Sequence, residues 1–196
     1  INDHQLHLLE LNLSLIIEAN KTTNLTRIET PESGRILHIE DSLAGLPELT
    51  EAPEGLYGDL GTGGGYPGIP LAILSGRTTL LVDSVKKKVA ILEQIVEELN
   101  LEKQISCYGG RIEDLALDHK ESFAVLTARA LSSLPSLLEL ASPLLIQGGR
   151  LICYKANISD EELSQVNEMK KKVAMVPKSD KEFLLSDGVT KRRLVV

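Results

Sequence analysis

Near the start of the chain, Leu6, Leu9, Leu13, Ile16 and Ile17 recur at three- and four-residue spacing, the period of a helix that buries one stripe. Asn2 and Asp3 precede the stripe as candidate N-caps, and Asn20 and Lys21 suit its end. After a polar stretch, a second short helix is expected over His38–Leu46, and the acidic, proline-bearing Pro47–Pro53 reads as a connector. From Leu56 the rhythm changes. Apolar runs at Leu56–Leu60, Thr79–Val82, Gln104–Tyr108, Phe123–Thr127 and Gly149–Tyr154 alternate with helix-like segments at Pro67–Ser75, Val85–Leu99, Arg111–Leu117 and Leu134–Leu145. A repeat of roughly 20–25 residues is that of successive βα units, which close as a parallel sheet. After Ile158 a helix-like stretch runs to Lys172, and Val173–Val176, Phe183–Leu185 and Leu194–Val196 fit an antiparallel pair at the sheet edge. The pattern predicts a doubly wound, mostly parallel α/β fold over residues 51–196 with an antiparallel edge, and an N-terminal helical cap over residues 1–50.

At 196 residues and 42% hydrophobic, the chain can bury one substantial core. The longest apolar stretch, around Leu131–Ile146, is broken by Pro135, Glu139 and Pro143, short of the roughly 20 clean residues of a membrane span. No basic, apolar, small-residue leader opens the sequence at Ile1, so a cytoplasmic protein is expected. Cys107 and Cys153 lie in apolar strand-like runs without ligand spacing and read as reduced core residues. The net charge of −7 argues against general adhesion to nucleic acid. Its distribution is uneven: residues 1–50 carry three basic and eight acidic side chains, residues 165–196 eight basic and four acidic. A polyanion is therefore expected at the C-terminal end or a local patch.

The most informative segment is Gly58-Asp59-Leu60-Gly61-Thr62-Gly63-Gly64-Gly65-Tyr66-Pro67-Gly68, between the first strand and a helix. Five glycines between Gly61 and Gly68 suit a sharp turn that lets a bulky cofactor lie against main-chain N–H groups. Two cofactor classes compete. Gly63, Gly65 and Gly68 fit the G-x-G-x-x-G of dinucleotide binders, whereas Asp59 followed by Gly61-x-Gly63-x-Gly65 is the arrangement methyltransferases place under the methionine part of S-adenosylmethionine. Asp83, ending the second strand, offers a carboxylate to ribose hydroxyls in either case. Beyond the third strand lies Gly110-Arg111-Ile112-Glu113-Asp114: in the methyltransferase reading Ile112 packs on adenine and main-chain or acidic groups here accept from its amine, although acids here also suit an ordinary helix start.

Arg129 follows the fourth strand at the carboxyl edge of the sheet, where ligands of open α/β folds bind. It either forms a structural ion pair with Asp59 or Glu113 or lines the site. The histidines His4, His7, His38 and His119 show no metal-ligand spacing, so no metal is expected, and no nucleophile elbow is present. His38, Asp41 and Ser42 either face the site from the cap or act as caps themselves. Of the basic clusters, Lys170–Lys172 reads as a solvated face, while Lys86–Lys88 and Lys191–Arg193 are candidates for phosphate contact. With aromatics at 3%, Tyr66 is the candidate platform for a stacked base. A nicotinamide-dependent oxidoreductase and a non-catalytic RNA-binding module are the competing classes.

The run from Asp59 through Ile73, then Val82-Asp83-Ser84-Val85-Lys86-Lys87-Lys88, resembles the glucose-inhibited division protein B family of small-subunit ribosomal RNA guanine-N7 methyltransferases. Asn24-Leu25-Thr26, His38–Leu43, Arg111-Ile112-Glu113 and Ala128-Arg129-Ala130 extend the resemblance over most of the chain. It departs at Leu37, where a basic residue is usual, and at Glu40, a commonly apolar position. The resemblance implies a class I, Rossmann-like fold that uses S-adenosylmethionine to methylate N7 of a guanine in 16S ribosomal RNA of the small subunit; separately, a monomer is expected. The resemblance also implies that Gly61, Gly63, Tyr66, Ile112, Glu113 and Arg129 contact the cofactor or line its pocket, with Asp83 and Ser84 near the ribose and His38, Asp41 and Ser42 towards the substrate. Guanine N7 has a free lone pair at neutral pH, so no general base is required. Arg129 is the expected catalytic residue, as a donor to guanine O6 or a neighbouring phosphate.

Overall fold

Asn2 starts the first helix, α1 (Asp3–Asn20): its side chain accepts the Gln5 N–H, and the Gln5 side chain accepts the Asn2 N–H, closing a capping box. The structure is a computed structural model that describes residues 1–28 and 30–196. The buried stripe of α1 is Leu8, Leu9, Asn12, Leu13 and Ile16, one step round from the expected one, and Leu6 is left 53% exposed. The expected second helix is a continuous helical run in three parts: α2 (Pro31–Gly34), a π-helical turn (Arg35–Glu40) and α3 (Asp41–Leu43). The supposed connector is largely helix as well, α4 (Leu46–Thr50), with Pro47 in its first turn, where a missing N–H costs nothing.

Seven strands make one sheet: β1 (Leu56–Leu60), β2 (Thr79–Asp83), β3 (Ile105–Gly109), β4 (Phe123–Arg129), β5 (Leu145–Lys155), β6 (Asp180–Leu184) and β7 (Lys191–Val195). Their order is β3-β2-β1-β4-β5-β7-β6. The first five are parallel, and β7 runs antiparallel between β5 and β6. The order reverses between β1 and β4, so the chain leaves a crevice at the carboxyl ends of these two neighbours. Helices α5 (Gly68–Ser75) and α6 (Lys86–Glu98) pack with α1 on one face through Ile69, Leu81, Leu92, Leu9 and Ile16. Helices α7 (Ile112–Asp118) and α8 (Leu134–Ala141) cover the other through Leu115, Leu126, Leu134 and Leu137. Helix α9 (Asp160–Val173) adds Val166 to that second layer.

Two expected elements are corrected. Val173–Val176 is no strand: α9 ends there on Ala174 in a left-handed conformation, and Val176, 85% exposed, has no face to bury. Helix α8 stops at Ala141 instead of reaching Leu145, because Pro143 cannot extend it, and β5 begins at Leu145 instead. Among the described residues no helix is long and apolar enough to cross a membrane.

Candidate active site

The turn after β1 is set by what surrounds its glycines. At Gly63 (φ +58) an added Cβ would meet nothing nearer than the Gly61 carbonyl oxygen at 3.9 Å, so this main chain borders open space. Gly61 (φ +67) is crowded instead, since its Cβ would lie 2.5 Å from Leu131 Cδ1. Leu131 is turned back by the left-handed Ala130 that follows Arg129. Main chain that turns sharply beside open space gives a bulky ligand room to lie against it.

Asp83 ties the turn to the second strand. Its Oδ2 accepts the Gly63 N–H at 3.0 Å and its Oδ1 the Val85 N–H at 2.9 Å. The Thr62 N–H donates to Val82 O and the Gly110 N–H to Asp83 O, so the ends of β1, β2 and β3 are laced together. Each carboxylate oxygen keeps a lone pair for a further donor. Ser84 beside it is exposed, Ile112 is buried at the start of α7, and Glu113 is exposed in its first turn. These positions gather along the carboxyl edge of β1, β2 and β3.

Asp59, the acid before the glycines, is buried and aimed into the fold. Its Oδ2 accepts the Gly68 N–H at 3.0 Å and its Oδ1 the Thr127 hydroxyl at 2.6 Å, while Tyr57 and Thr127 hydroxyls meet at 2.8 Å. Burial pushes the Asp59 carboxyl up to about 6, against the lowering effect of Thr127, Arg129 and the Gly68 N–H. Its bond to Gly68 holds the start of α5, and thereby the far end of the glycine turn.

On the cap side, the π-helical turn carries His38 onto the Tyr66 ring, with centroids 4.2 Å apart and planes 2° from parallel. A π turn frequently marks a functional site, because it re-aims side chains that a regular helix would point elsewhere. His38 Nε2 lies 2.9 Å from Thr26 Oγ1, and Nδ1 lies 3.3 Å from Arg129 Nη2. Nδ1 therefore serves as the acceptor and Nε2 as the donor. Burial, with the Arg129 charge, holds the His38 imidazole down to about 3, so it is neutral at physiological pH. Arg129 also donates from Nη1 to Leu37 O at 3.0 Å and to Asp41 Oδ2 at 3.1 Å, and lies 5.8 Å above the Tyr66 ring.

Two expectations change here. Arg129 pairs with Asp41 of the cap, not with Asp59 or Glu113, because the helical run delivers Asp41 to the end of β4. Tyr66 is not an open platform: it is buried under His38, and burial pushes its phenol up. Two residues of the Lys191–Arg193 cluster are also engaged, while Lys191 is exposed. Arg192 Nε donates to Asp41 Oδ2 at 3.0 Å, and Arg193 pairs with Asp180. The alternation of β7 carried the signal for Arg192, since Leu194 faces the core two residues on. Lys86 and Lys87 stay exposed at the N-terminus of α6, where the helix dipole disfavours cations. Cys107 and Cys153 are free, and burial pushes both thiols up to about 12, so neither is a nucleophile.

A glycine turn at the switch point, an acid closing β2, and a last antiparallel strand inserted next to the edge define the class I, Rossmann-like methyltransferases. The O-methyltransferase of Bacillus cereus, solved in complex with SAH, shares this fold: TM-score 0.60, 17% identity, 94% of this chain and 90% of that one covered. Sequence similarity goes further. A family model described as GidB, rRNA small subunit methyltransferase G, matches residues 5–193. The ribosomal RNA small subunit methyltransferase G of Desulfitobacterium hafniense (strain Y51) is 39% identical over 87% of this chain and 70% of its own length. That of Carboxydothermus hydrogenoformans is 35% identical over 100% of this chain and 84% of its own length. The chain belongs to the rRNA small subunit methyltransferase G family.

Proposed function

We propose that this protein transfers a methyl group from S-adenosylmethionine to N7 of a guanine in 16S ribosomal RNA of the small subunit, acting as a cytoplasmic monomer. The observation that carries the cofactor assignment is the open edge of Gly63, held by Asp83 at the switch point of the sheet. The family supports the ribosomal RNA. When bound, S-adenosylmethionine supplies a methyl group activated by its sulfonium charge.

The residues divide the remaining work. Gly61 and Gly63 present main chain to the methionine part, Asp83 and Ser84 accept from the ribose hydroxyls, Ile112 packs on the adenine, and Glu113 accepts from its amine. Tyr66, pinned by His38, forms a wall of the pocket. Arg129 has N–H groups beyond those given to Leu37, Asp41 and His38, and these orient the guanine through O6 or an adjoining phosphate. A bond from Arg129 to N7 would consume the nucleophilic lone pair, so O6 or phosphate is the productive contact. No side chain has to remove a proton. The protein's contribution is alignment of N7 with the methyl group, which is worth roughly 7–11 kcal/mol when the reacting atoms are held near contact.

The test is transfer of labelled methyl from S-adenosylmethionine to small ribosomal subunits lacking this modification, followed by mass spectrometry of the digested RNA. Label in 7-methylguanosine is the expected outcome. Label in another nucleoside, or none despite cofactor binding, overturns the assignment.

A further inference from the structure

The Asp41 carboxylate, 1% exposed, is shared by two arginines that lie far apart in sequence. Arg129 Nη1 and Arg192 Nε both donate to the same oxygen, Oδ2, at 3.1 and 3.0 Å, while Oδ1 has no hydrogen-bond partner among the described residues. Both guanidinium groups are largely covered, with 17% and 23% of their side-chain surface exposed. Arg192 is fixed from behind by its own bond from Nη1 to Lys191 O at 3.1 Å.

This arrangement does two things. It fixes the carboxylate, since an oxygen held between two donors cannot rotate to meet either one squarely. It also divides one negative charge between two positive ones, so Arg129 keeps part of its charge and two of its N–H directions for another ligand. Without Arg192, Asp41 is free to turn and take Arg129 side-on with both oxygens, the geometry arginine and carboxylate prefer. That would draw the Arg129 guanidinium towards the cap and neutralise it.

The strand that carries Arg192 is anchored to the cap independently. Ser186, in the β6–β7 turn, donates to the Glu40 carboxylate from both its N–H and its hydroxyl. Glu48 accepts from Ser179 at 3.0 Å and Lys181 at 3.3 Å. Three acids of the cap, Glu40, Asp41 and Glu48, are thus each bonded to the C-terminal hairpin, and Asp41 is the one that continues to the site.

We infer that Arg192 is a positioning residue: through the shared Asp41 oxygen it sets the placement and residual charge of Arg129 at the carboxyl edge of the sheet. The inference rests on the role given to Arg129 above. Kinetics of R192A, R192K, R129A and the R129A/R192A double variant test it, with K181A as a control that disturbs the same hairpin without touching Asp41.

R192A is expected to lower kcat by about ten- to a hundredfold, the scale of a small misplacement of an orienting group. Cofactor affinity measured by calorimetry stays unchanged, and R192K restores most of the rate. The double variant turns over no more slowly than R129A alone, because Arg192 acts only through Arg129. In 15N spectra the Arg129 guanidinium signal shifts in R192Q, which keeps side-chain bulk but no charge, and stays near its parent position in R192K and K181A, a readout independent of turnover and open even if R192A does not fold. Full kcat in R192A, costs that multiply in the double variant, or an Arg129 signal unmoved in R192Q overturns the inference. Full turnover in R129A instead removes the role of Arg129 itself, so the two failures are distinct.

Discussion

His38 lies flat on Tyr66, 4.2 Å between ring centroids, and this stack joins the π-helical turn to the glycine turn. The imidazole is held from both nitrogens, by Thr26 and by Arg129, so the ring cannot slide without breaking a hydrogen bond. Its face is neutral, and so the contact is one of packing and orientation. With the core cluster of Leu8, Leu9, Ile16 and Leu25 on which Tyr66 also packs, this contact fixes the placement of the ring.

His38→Ala removes the stack and the acceptor of Arg129 together. An aromatic pair is worth about 0.5–1.5 kcal/mol beyond its buried area. A loss of about 2 kcal/mol of unfolding free energy is therefore expected when the lost imidazole contacts are included, read from urea denaturation. Cofactor affinity should fall as well. His38→Phe keeps the ring but neither hydrogen bond, and it should recover stability better than cofactor affinity or turnover. Equal recovery of all three would mean the stack alone matters.

Two buried groups make stability depend on pH in opposite senses. His38 has a folded value of about 3 against 6.5 for the free side chain, so its contribution is fully present above about pH 6.5 and fades as pH falls towards 3. Asp59 stands at about 6 against 3.8, so the stability linked to it is fully present below 3.8 and is lost as pH rises through 6. Asp59→Asn removes only the second effect. The stability of the variant relative to the parent should therefore increase in the variant's favour between pH 4 and pH 7, in urea midpoints taken at each unit. A difference that stays constant would mean that Asp59 is ionised in the folded protein across that range, as it is in the unfolded chain.

Gly63 and Gly76 form a matched pair. Both have positive φ, +58 and +71, and neither has a neighbour close enough to clash with an added Cβ. Alanine at either position should cost about 1–2 kcal/mol, the strain of a left-handed L-residue. The ligand distinguishes them. Gly76 closes α5 at the opposite end from the glycine turn, so Gly76→Ala should leave cofactor affinity intact. Gly63→Ala should weaken it by about tenfold, or about 1.4 kcal/mol, because the methyl occupies the open edge. Calorimetric titration with S-adenosylhomocysteine reads both, and equal affinities would place the cofactor away from Gly63.

Much of this architecture is legible in the sequence itself. The run Leu56–Leu60 is β1 to the residue, Asn2 is the cap of α1, and the glycine turn with Asp83 stands at the switch point its spacing implies. These features are local: an apolar run, a capping side chain and a turn each carry their cause within a few residues. The cap is legible only as helix. Nothing in residues 35–41 announces a π turn, and that turn decides that His38 meets Tyr66 and Asp41 meets Arg129. The pairing of Asp41 with Arg192 spans 151 positions and exists only because β7 inserts next to β5. Val173–Val176 misleads for the opposite reason, as an apolar run with β-branched residues to which tertiary structure gives no partner.

Glu48 shows how far an acidic stretch can depart from a simple connector. It lies in the segment Pro47–Pro53 yet is 5% exposed, bonded to Arg150 at 3.0 Å, Ser179 at 3.0 Å and Lys181 at 3.3 Å. Arg150 also caps the Glu48 carbonyl, and its side chain is 13% exposed, so it depends on this carboxylate for compensation. Glu48→Ala leaves the Arg150 charge buried with only the exposed Glu51 carboxylate, 3.5 Å away, to answer it. A cost of about 3–5 kcal/mol is expected, the scale of a broken buried pair. Glu48→Gln keeps one acceptor oxygen, which can serve Arg150 while the amide donates to the Ser179 hydroxyl, and it should cost about half as much, since part of the hydrogen bonding survives while the charge does not. Denaturant unfolding separates the two variants. A cost below about 1 kcal/mol for the alanine would put Glu48 among the surface pairs that contribute little, and the C-terminal hairpin would then be held to the cap by Asp41 and Glu40 alone.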